Sequence, residues 1–353
     1  MRKLAVIIVF CIGFGLSIPA ADKVNTDLQV WQLELKDSYQ LSEEISDLHE
    51  YIITDNKIMF ASIQAKMVWY LNLDGTLFTV LDKAGQGPGE FSMPQTVYDD
   101  TKYQRIGIVD QMNRRTSYYD YSGNYIMDEL FPGMDVPMSK TYFADAMLYY
   151  FFGIEIDQDK GSILTKPTLK LILDEEELVI YTDSFNPLMM NVSSSGIPLF
   201  ACLDQNIYVS ALSHDNYSIN IYNLQGELKN SITKKYKKIK KTEAEVEELE
   251  NMMEDITRQF KGTGVEMNFQ ITGYDYKYAI NELLIGPEGN LWVQTQDNEG
   301  DLFDIYSEQG ELIALCRFPT PDSGICRIYS GELLEIKSNE YEDFYLNHYL
   351  IRK

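Results

Sequence analysis

Histidine and cysteine are scarce: the chain of 353 residues holds three His and four Cys. His49, His214 and His348 stand far apart, so a hydrolytic triad or a metal site built on several imidazoles has little to draw on. No Cys-x-x-Cys pair or Cys/His cluster occurs, which removes support for zinc chemistry. A Gly-x-Ser-x-Gly nucleophile turn is missing too, and Ser193-Ser194-Ser195-Gly196 reads as a loop. Basic residues are outnumbered, 30 against 54 acidic ones, for a formal charge of −24. That balance argues against a nucleic-acid partner, because phosphate binding needs a clustered positive surface. Long apolar runs are also lacking; the stretch from Leu4 to Leu16 has 13 residues, where a membrane span needs roughly 20.

That stretch reads as an address. Arg2 and Lys3 precede it, and Ser17-Ile18-Pro19-Ala20-Ala21 follows with small residues. This is the layout of a secretory signal peptide over residues 1–21, with cleavage near Ala20 or Ala21. The expected location is periplasmic or extracellular. The alternative is a lipid anchor through Cys11, but Phe10 precedes it where a small residue belongs.

What the chain has is apolar and aromatic material in short alternating segments. Apolar residues make up 45%, with 25 Tyr and 16 Phe, enough for a sizeable core and weighted toward strands. Four segments share one hairpin pattern: VWYLNLDGTLFTVL around Gly75, SYYDYSGNYIM around Gly123, INIYNLQGELKNSI around Gly226 and FDIYSEQGELIAL around Gly310. A fifth, KLILDEEELVIYT, has Glu176 in place of the Gly. Successive turns are 48, 53, 50 and 84 residues apart. Upstream of them runs a second series of buried-strand patterns, at Ile58, Ile106, Leu148, Ile207, Leu291 and Leu333. Six units of about four strands predict an all-β fold, a six-bladed β-propeller with four-stranded antiparallel blades, filling residues 22–353.

The ends suit a closed ring. The last unit has three strands, Ile325–Tyr329, Leu333–Lys337 and Phe344–Ile351, and LQVWQLEL at 28–35 is a strand without a local partner. Letting it complete the last blade would cover two exposed edges. The long fourth spacing contains KKYKKIKK (234–241) and then an acidic segment. Thr242 with Glu245 fits a capping box, and Val246, Leu249, Met253, Ile256 and Phe260 form one stripe. An amphipathic helix inserted at about 240–264 is expected, with its stripe packed on the propeller flank. Its acidic residues compensate the lysine run.

The most conspicuous loop is Lys83-Ala84-Gly85-Gln86-Gly87-Pro88-Gly89-Glu90-Phe91. It lacks the Lys-Ser/Thr and the helix start that a phosphate-cradling loop requires. Its GQGPGEF stretch resembles the corresponding loop of a family of exported bacterial six-bladed β-propellers of the Bacteroidota type. In shape these are similar to NHL-repeat and TolB-like propellers. GPEGNLWV (286–293) resembles the strand pattern of NHL-like blades. The resemblance implies an exported propeller and carries no catalytic residues with it.

Loops on a rigid scaffold are where binding residues concentrate. Gln86, Glu90 and Phe91, with Asp110 and Arg114 as neighbours, are therefore the candidate ligand-binding residues; the bland alternative is a turn that only shapes the crossing between blades. Tyr118-Tyr119, Tyr149-Tyr150 and Tyr341-Tyr345 read as strand residues, with sugar or peptide stacking as the alternative. Cys316 and Cys326 flank a turn-rich segment and read equally as a cross-strand disulfide or as buried thiols. No cofactor is expected; a single divalent cation such as calcium is the exception to weigh, and Asp297-Asn298-Glu299-Gly300-Asp301 lacks the EF-hand spacing for it. The functional expectation is an exported binding module, monomeric, recognising a protein, peptide or glycan in the cell envelope. The alternative is a metal-dependent propeller hydrolase or lyase of the lactonase type.

Overall fold

The protein is seen in a computed structural model that describes residues 28–45, 47–131, 133, 135–157, 162–174, 176–184, 194–247, 250–251, 275–320, 323–339 and 343–353. The expected signal peptide and most of the expected helix, from residue 252 to 274, lie outside the described residues.

Four blades follow one another along the chain as four-stranded antiparallel sheets. Blade one is β2 (Ile52–Thr54), β3 (Lys57–Ser62), β4 (Met67–Asn72) and β5 (Leu77–Asp82). Blade two is β6 (Pro94–Asp100), β7 (Arg105–Asp110), β8 (Arg115–Tyr119) and β9 (Tyr125–Leu130). Blade three is β10 (Val136–Phe143), β11 (Ala146–Asp157), β12 (Ser162–Leu173) and β13 (Glu176–Thr182). Blade four is β14 (Ser194–Leu203), β15 (Asn206–Ser213), β16 (Tyr217–Tyr222) and β17 (Leu228–Lys234).

Blade five is β18 (Glu282–Ile285), β19 (Leu291–Asp297), β20 (Gly300–Tyr306) and β21 (Leu312–Arg317). Blade six is β22 (Ile325–Tyr329), β23 (Glu332–Ser338) and β24 (Phe344–Arg352), completed by the N-terminal strand β1 (Gln29–Gln40). β1 runs antiparallel to β24 from Gln32 to Gln40. Its first residues, Gln29 to Gln32, also pair in parallel with Ala314 to Arg317 of β21, so blades five and six are joined into one eight-stranded sheet.

The five hairpin and six buried-strand signals fall into place. The second series forms the second strand of every blade, whose faces both pack against neighbouring blades. In β3, Ile58 and Phe60 enter the core shared with blade six, while Met59 and Ala61 enter the core shared with blade two. Burial on both faces gives a continuous apolar run in place of alternation. Six hydrophobic clusters result, one at each interface between blades. The Gly turns close the hairpins between third and fourth strands. Gly75, Gly123, Gly226 and Gly310 all have φ between +74° and +87°, a region a side chain disfavours. Each donates its N–H to the carbonyl three residues earlier.

The topology decides between the two readings of the cysteines and locates the start of the insertion. Cys316 and Cys326 are free, because β21 is the rim strand of blade five and β22 the channel strand of blade six; they are not neighbours in the sheet. Burial pushes the Cys316 thiol up to about 12, and both sulfurs act as small apolar groups in the same core. The insertion starts at the mouth of the central channel, where Lys241, Thr242 and Glu245 join the lining, and its apolar stripe from Leu249 onward lies outside the described residues. A connection from β17 at the rim to β18 at the centre has to cross the end of the propeller. An antiparallel bridge between Lys240 and Tyr276 closes its stem. The capping box forms as the sequence predicts, with the Thr242 N–H donating to Glu245 Oε2 at 2.7 Å and the Glu245 N–H to Thr242 Oγ1 at 3.3 Å.

Candidate functional site: the central channel

The innermost strands β2, β6, β10, β14, β18 and β22 each end a sheet, so their free edges face one another around a central channel. The cavity measures about 1430 Å³ and takes lining residues from all six blades. Edge strands tolerate proline and bulges, and three of these strands use them. β6 has a register shift between Pro94 and Thr96, β10 between Pro137 and Ser139, and β14 between Ser194 and Pro198.

Charged groups on the wall are held in local clusters. Arg327, in the middle of β22, donates Nη1 to Glu282 Oε2 at 3.0 Å and Nε to the Tyr51 carbonyl at 3.0 Å. Glu50 Oε1 stands 3.5 Å from its Nη2. Burial raises the Glu282 carboxyl above its ordinary value, against the opposing pull of Arg327. Across the channel, Lys140 of β10 donates to the Tyr118 hydroxyl at 3.0 Å and lies 3.5 Å from Glu129. Tyr118 in turn donates to Glu129 at 2.6 Å and shares a hydrogen bond with Tyr98 at 3.0 Å. Burial pushes the Glu129 carboxyl up, but the Tyr118 hydroxyl and the Lys140 ammonium outweigh it and hold the group low.

At the mouth, Lys277 pairs with Glu245 at 2.7 Å. Lys241 is lowered, first by burial and then by Lys277, against the attraction of Glu245. Aromatic side chains fill the wall between these clusters: Tyr142, Tyr150, Phe152, Phe200, Tyr278 and Phe344.

The five residues expected from the sequence gather at one place, but not in the channel lining. Asp110 is wholly buried and organises the loop, accepting from the Ser92 N–H at 2.8 Å, the Met93 N–H at 3.1 Å and Asn113 Nδ2 at 2.7 Å. Phe91 is wholly buried in the core between blades one and two. Glu90 turns back to accept from the Gly87 N–H at 2.7 Å. Gly89, at φ +67°, is fixed by packing, since a Cβ there would stand 2.6 Å from the Tyr125 ring. Phe91 and Asp110 are thus taken up by the protein's own fold. Gln86 and Arg114 are exposed, and Arg114 donates to the Gly133 carbonyl.

The carboxylates of the Asp297–Asp301 turn are engaged as well. Arg317 donates Nη1 and Nη2 to the two Asp297 oxygens at 2.9 and 2.5 Å, and Ser323 Oγ donates to Asp301 at 2.6 Å. Among the described residues, no three His, Cys, Asp or Glu side chains group as a cation site would need.

Sequence reasoning missed Arg327, Glu282, Glu50 and Lys140. A signal existed for two of them: Lys140 and Arg327 are cations in the middle of short strands, where a half-buried sheet would carry an apolar or small residue.

Comparison with known proteins gives the following. A family model described as 6-bladed beta-propeller, DUF5128, matches residues 23–273. A putative exported protein from Bacteroides fragilis has a similar structure, with a TM-score of 0.53 at 12% identity over 94% of this chain and 98% of that one. A member of the duf4221 family from Bacteroides vulgatus matches with a TM-score of 0.53 at 9% identity, over 92% and 99% of the two chains. No curated protein matches the sequence. At these identities the likeness shows the fold alone.

Proposed function

The chain belongs to the DUF5128 family of six-bladed β-propellers, and from that premise we propose that it is an exported binding module whose ligand, a peptide or glycan of the cell envelope, enters the central channel. The observation that carries this reading is the channel itself. Its volume of about 1430 Å³ exceeds that of typical small-ligand pockets, roughly 300–1,000 Å³. Its wall mixes aromatic surfaces with polar side chains from every blade but the fourth, so a ligand would meet both apolar and hydrogen-bonding partners. Export is supported by the basic, apolar and small-residue order of residues 1–21.

The test is calorimetric titration with a random hexapeptide library and with maltotetraose, cellotetraose, mannotetraose and chitotetraose. Wild type is compared with Thr141→Trp and Ser338→Trp, which place bulk in the lining without touching a blade core. Binding by wild type that both variants lose, with unchanged melting, supports the reading. Binding that both variants retain, or none to any probe, removes it.

A further inference from the structure

One cation at the mouth of the channel is left over. The stem of the insertion carries two lysines into the lining, Lys241 and Lys277. The bridge between Lys240 and Tyr276 is flanked by the Lys241 N–H donating to the Asp275 carbonyl at 2.7 Å and the Lys277 N–H donating to the Ile239 carbonyl at 2.9 Å. Side chains alternate along such a pair, so Lys241 and Lys277 project from one face of the stem. Glu245 is the carboxylate that acts on both, and its oxygens are taken. Oε1 accepts from Lys277 Nζ at 2.7 Å, and Oε2 accepts from the Thr242 N–H at 2.7 Å and from Thr242 Oγ1 at 2.9 Å. Among the described residues, Lys241 Nζ has no hydrogen bond and no ion pair. Asp275, opposite it in the stem, is exposed and outside the lining. Burial lowers the Lys241 ammonium below its ordinary value; Glu245 opposes this, and Lys277 adds to it. A part-buried ammonium with no counter-ion of its own is a cost that an anion in the channel would relieve.

We propose that Lys241 seats a carboxylate of an acidic peptide at the channel mouth, within the channel reading set out above and resting on it. Lys241 and Lys277 are both part of the cavity wall, so the seat is open to whatever fills the channel. The innermost strands leave their edges unpaired around that cavity. An extended peptide carries the N–H and C=O groups that match such edges, which favours a peptide over a saccharide as the carrier. The wall does not repel an anion as the rest of the molecule does. It holds five cationic side chains and five carboxylates, against 30 and 54 in the whole chain. The acidic excess therefore lies elsewhere, and exposed charges farther away than about 8 Å are largely screened at physiological salt.

The experiment titrates wild type, Lys241→Gln, Lys241→Glu and Lys237→Gln with acetylated, amidated hexapeptide libraries that have glutamate, glutamine or lysine fixed at one position. A fourth library keeps its C-terminal carboxylate free, and tetragalacturonate supplies a carboxylate on a sugar. Lys237 belongs to the same lysine run but is exposed outside the lining. Wild type should bind the glutamate library, the free-terminus library or both at least tenfold more tightly than the glutamine library; which of the two it is locates the carboxylate on a side chain or at the peptide's end. Lys241→Gln should abolish that preference with the melting temperature unchanged or raised, because the ammonium removed has no partner in the protein. Lys241→Glu should move the preference to the lysine library, and Lys237→Gln should keep it as in wild type. An acidic preference that survives Lys241→Gln overturns the seat. Equal affinity for all four libraries, lost in Thr141→Trp, overturns the seat while leaving the channel reading intact. Tetragalacturonate binding that needs Lys241, with no peptide binding, overturns the peptide as the carrier.

Discussion

Asp110 shows how a residue chosen for function can be spent on structure. Its carboxylate organises the backbone of Ser92 and Met93 and the side chain of Asn113, with no exposure to solvent. Asp110→Ala leaves those donors buried without an acceptor and should cost about 3 kcal/mol, from roughly 1–3 for each unsatisfied group. Asp110→Asn keeps one acceptor oxygen and should cost less. Urea midpoints for the pair check this order.

Glu282 carries the opposite kind of information. Burial holds its carboxyl above the ordinary value of 4.5, so just above that pH the folded protein keeps a proton that the unfolded chain releases. The stability it contributes is therefore present below pH 4.5 and lost as pH rises through the raised value. Glu282→Gln should remove this falling component, making the slope of stability against pH more positive in that window. Denaturant titrations at closely spaced pH values read the slope directly, and an identical slope in the variant contradicts the assignment.

At the scale of the element, legibility followed burial. The second strand of each blade was readable because both its faces are covered; β3 and β7 show unbroken apolar runs for that reason. The Gly hairpins were readable because a positive φ demands a particular residue. Apart from β22, legible as Ile325–Tyr329, the channel strands were not, since they are open along one edge and three of them are bulged. GIPLFACL in β14 carries little alternation to announce it. The disulfide alternative for Cys316 and Cys326 fails because closeness in sequence across a blade boundary is a crossing from rim to centre.

β1 was readable as a closing strand, though not its double pairing. Trp31 and Leu33 are buried in the core between blades five and six, and each apolar side chain of this kind contributes roughly 1.5–3 kcal/mol. A chain that starts at Asp37 loses both, together with the parallel pairing to β21. Its urea midpoint should fall sharply, with aggregation at the exposed β24 edge. An unchanged midpoint would mean that the ring does not depend on this clasp.

For the whole molecule, three things are joined: six blade interfaces that close the ring, the proposed leader over residues 1–21, and the proposed ligand channel. The leader predicts that protein recovered from the periplasm or medium begins at or close to Asp22. Peptide mass spectrometry of its N-terminus checks this, and a mature chain still carrying residues 1–21 contradicts it.

The channel is tested most directly by hydroxyl-radical footprinting with the panel probe that binds, at saturation. The rim supplies internal controls, because Leu77, Phe78, Tyr125 and Leu130 are exposed there. The account predicts that Tyr142, Tyr278 and Phe344 on the channel wall lose reactivity while the rim residues do not change. Protection of the rim or of Gln86, with Tyr142, Tyr278 and Phe344 as reactive as before, would contradict it.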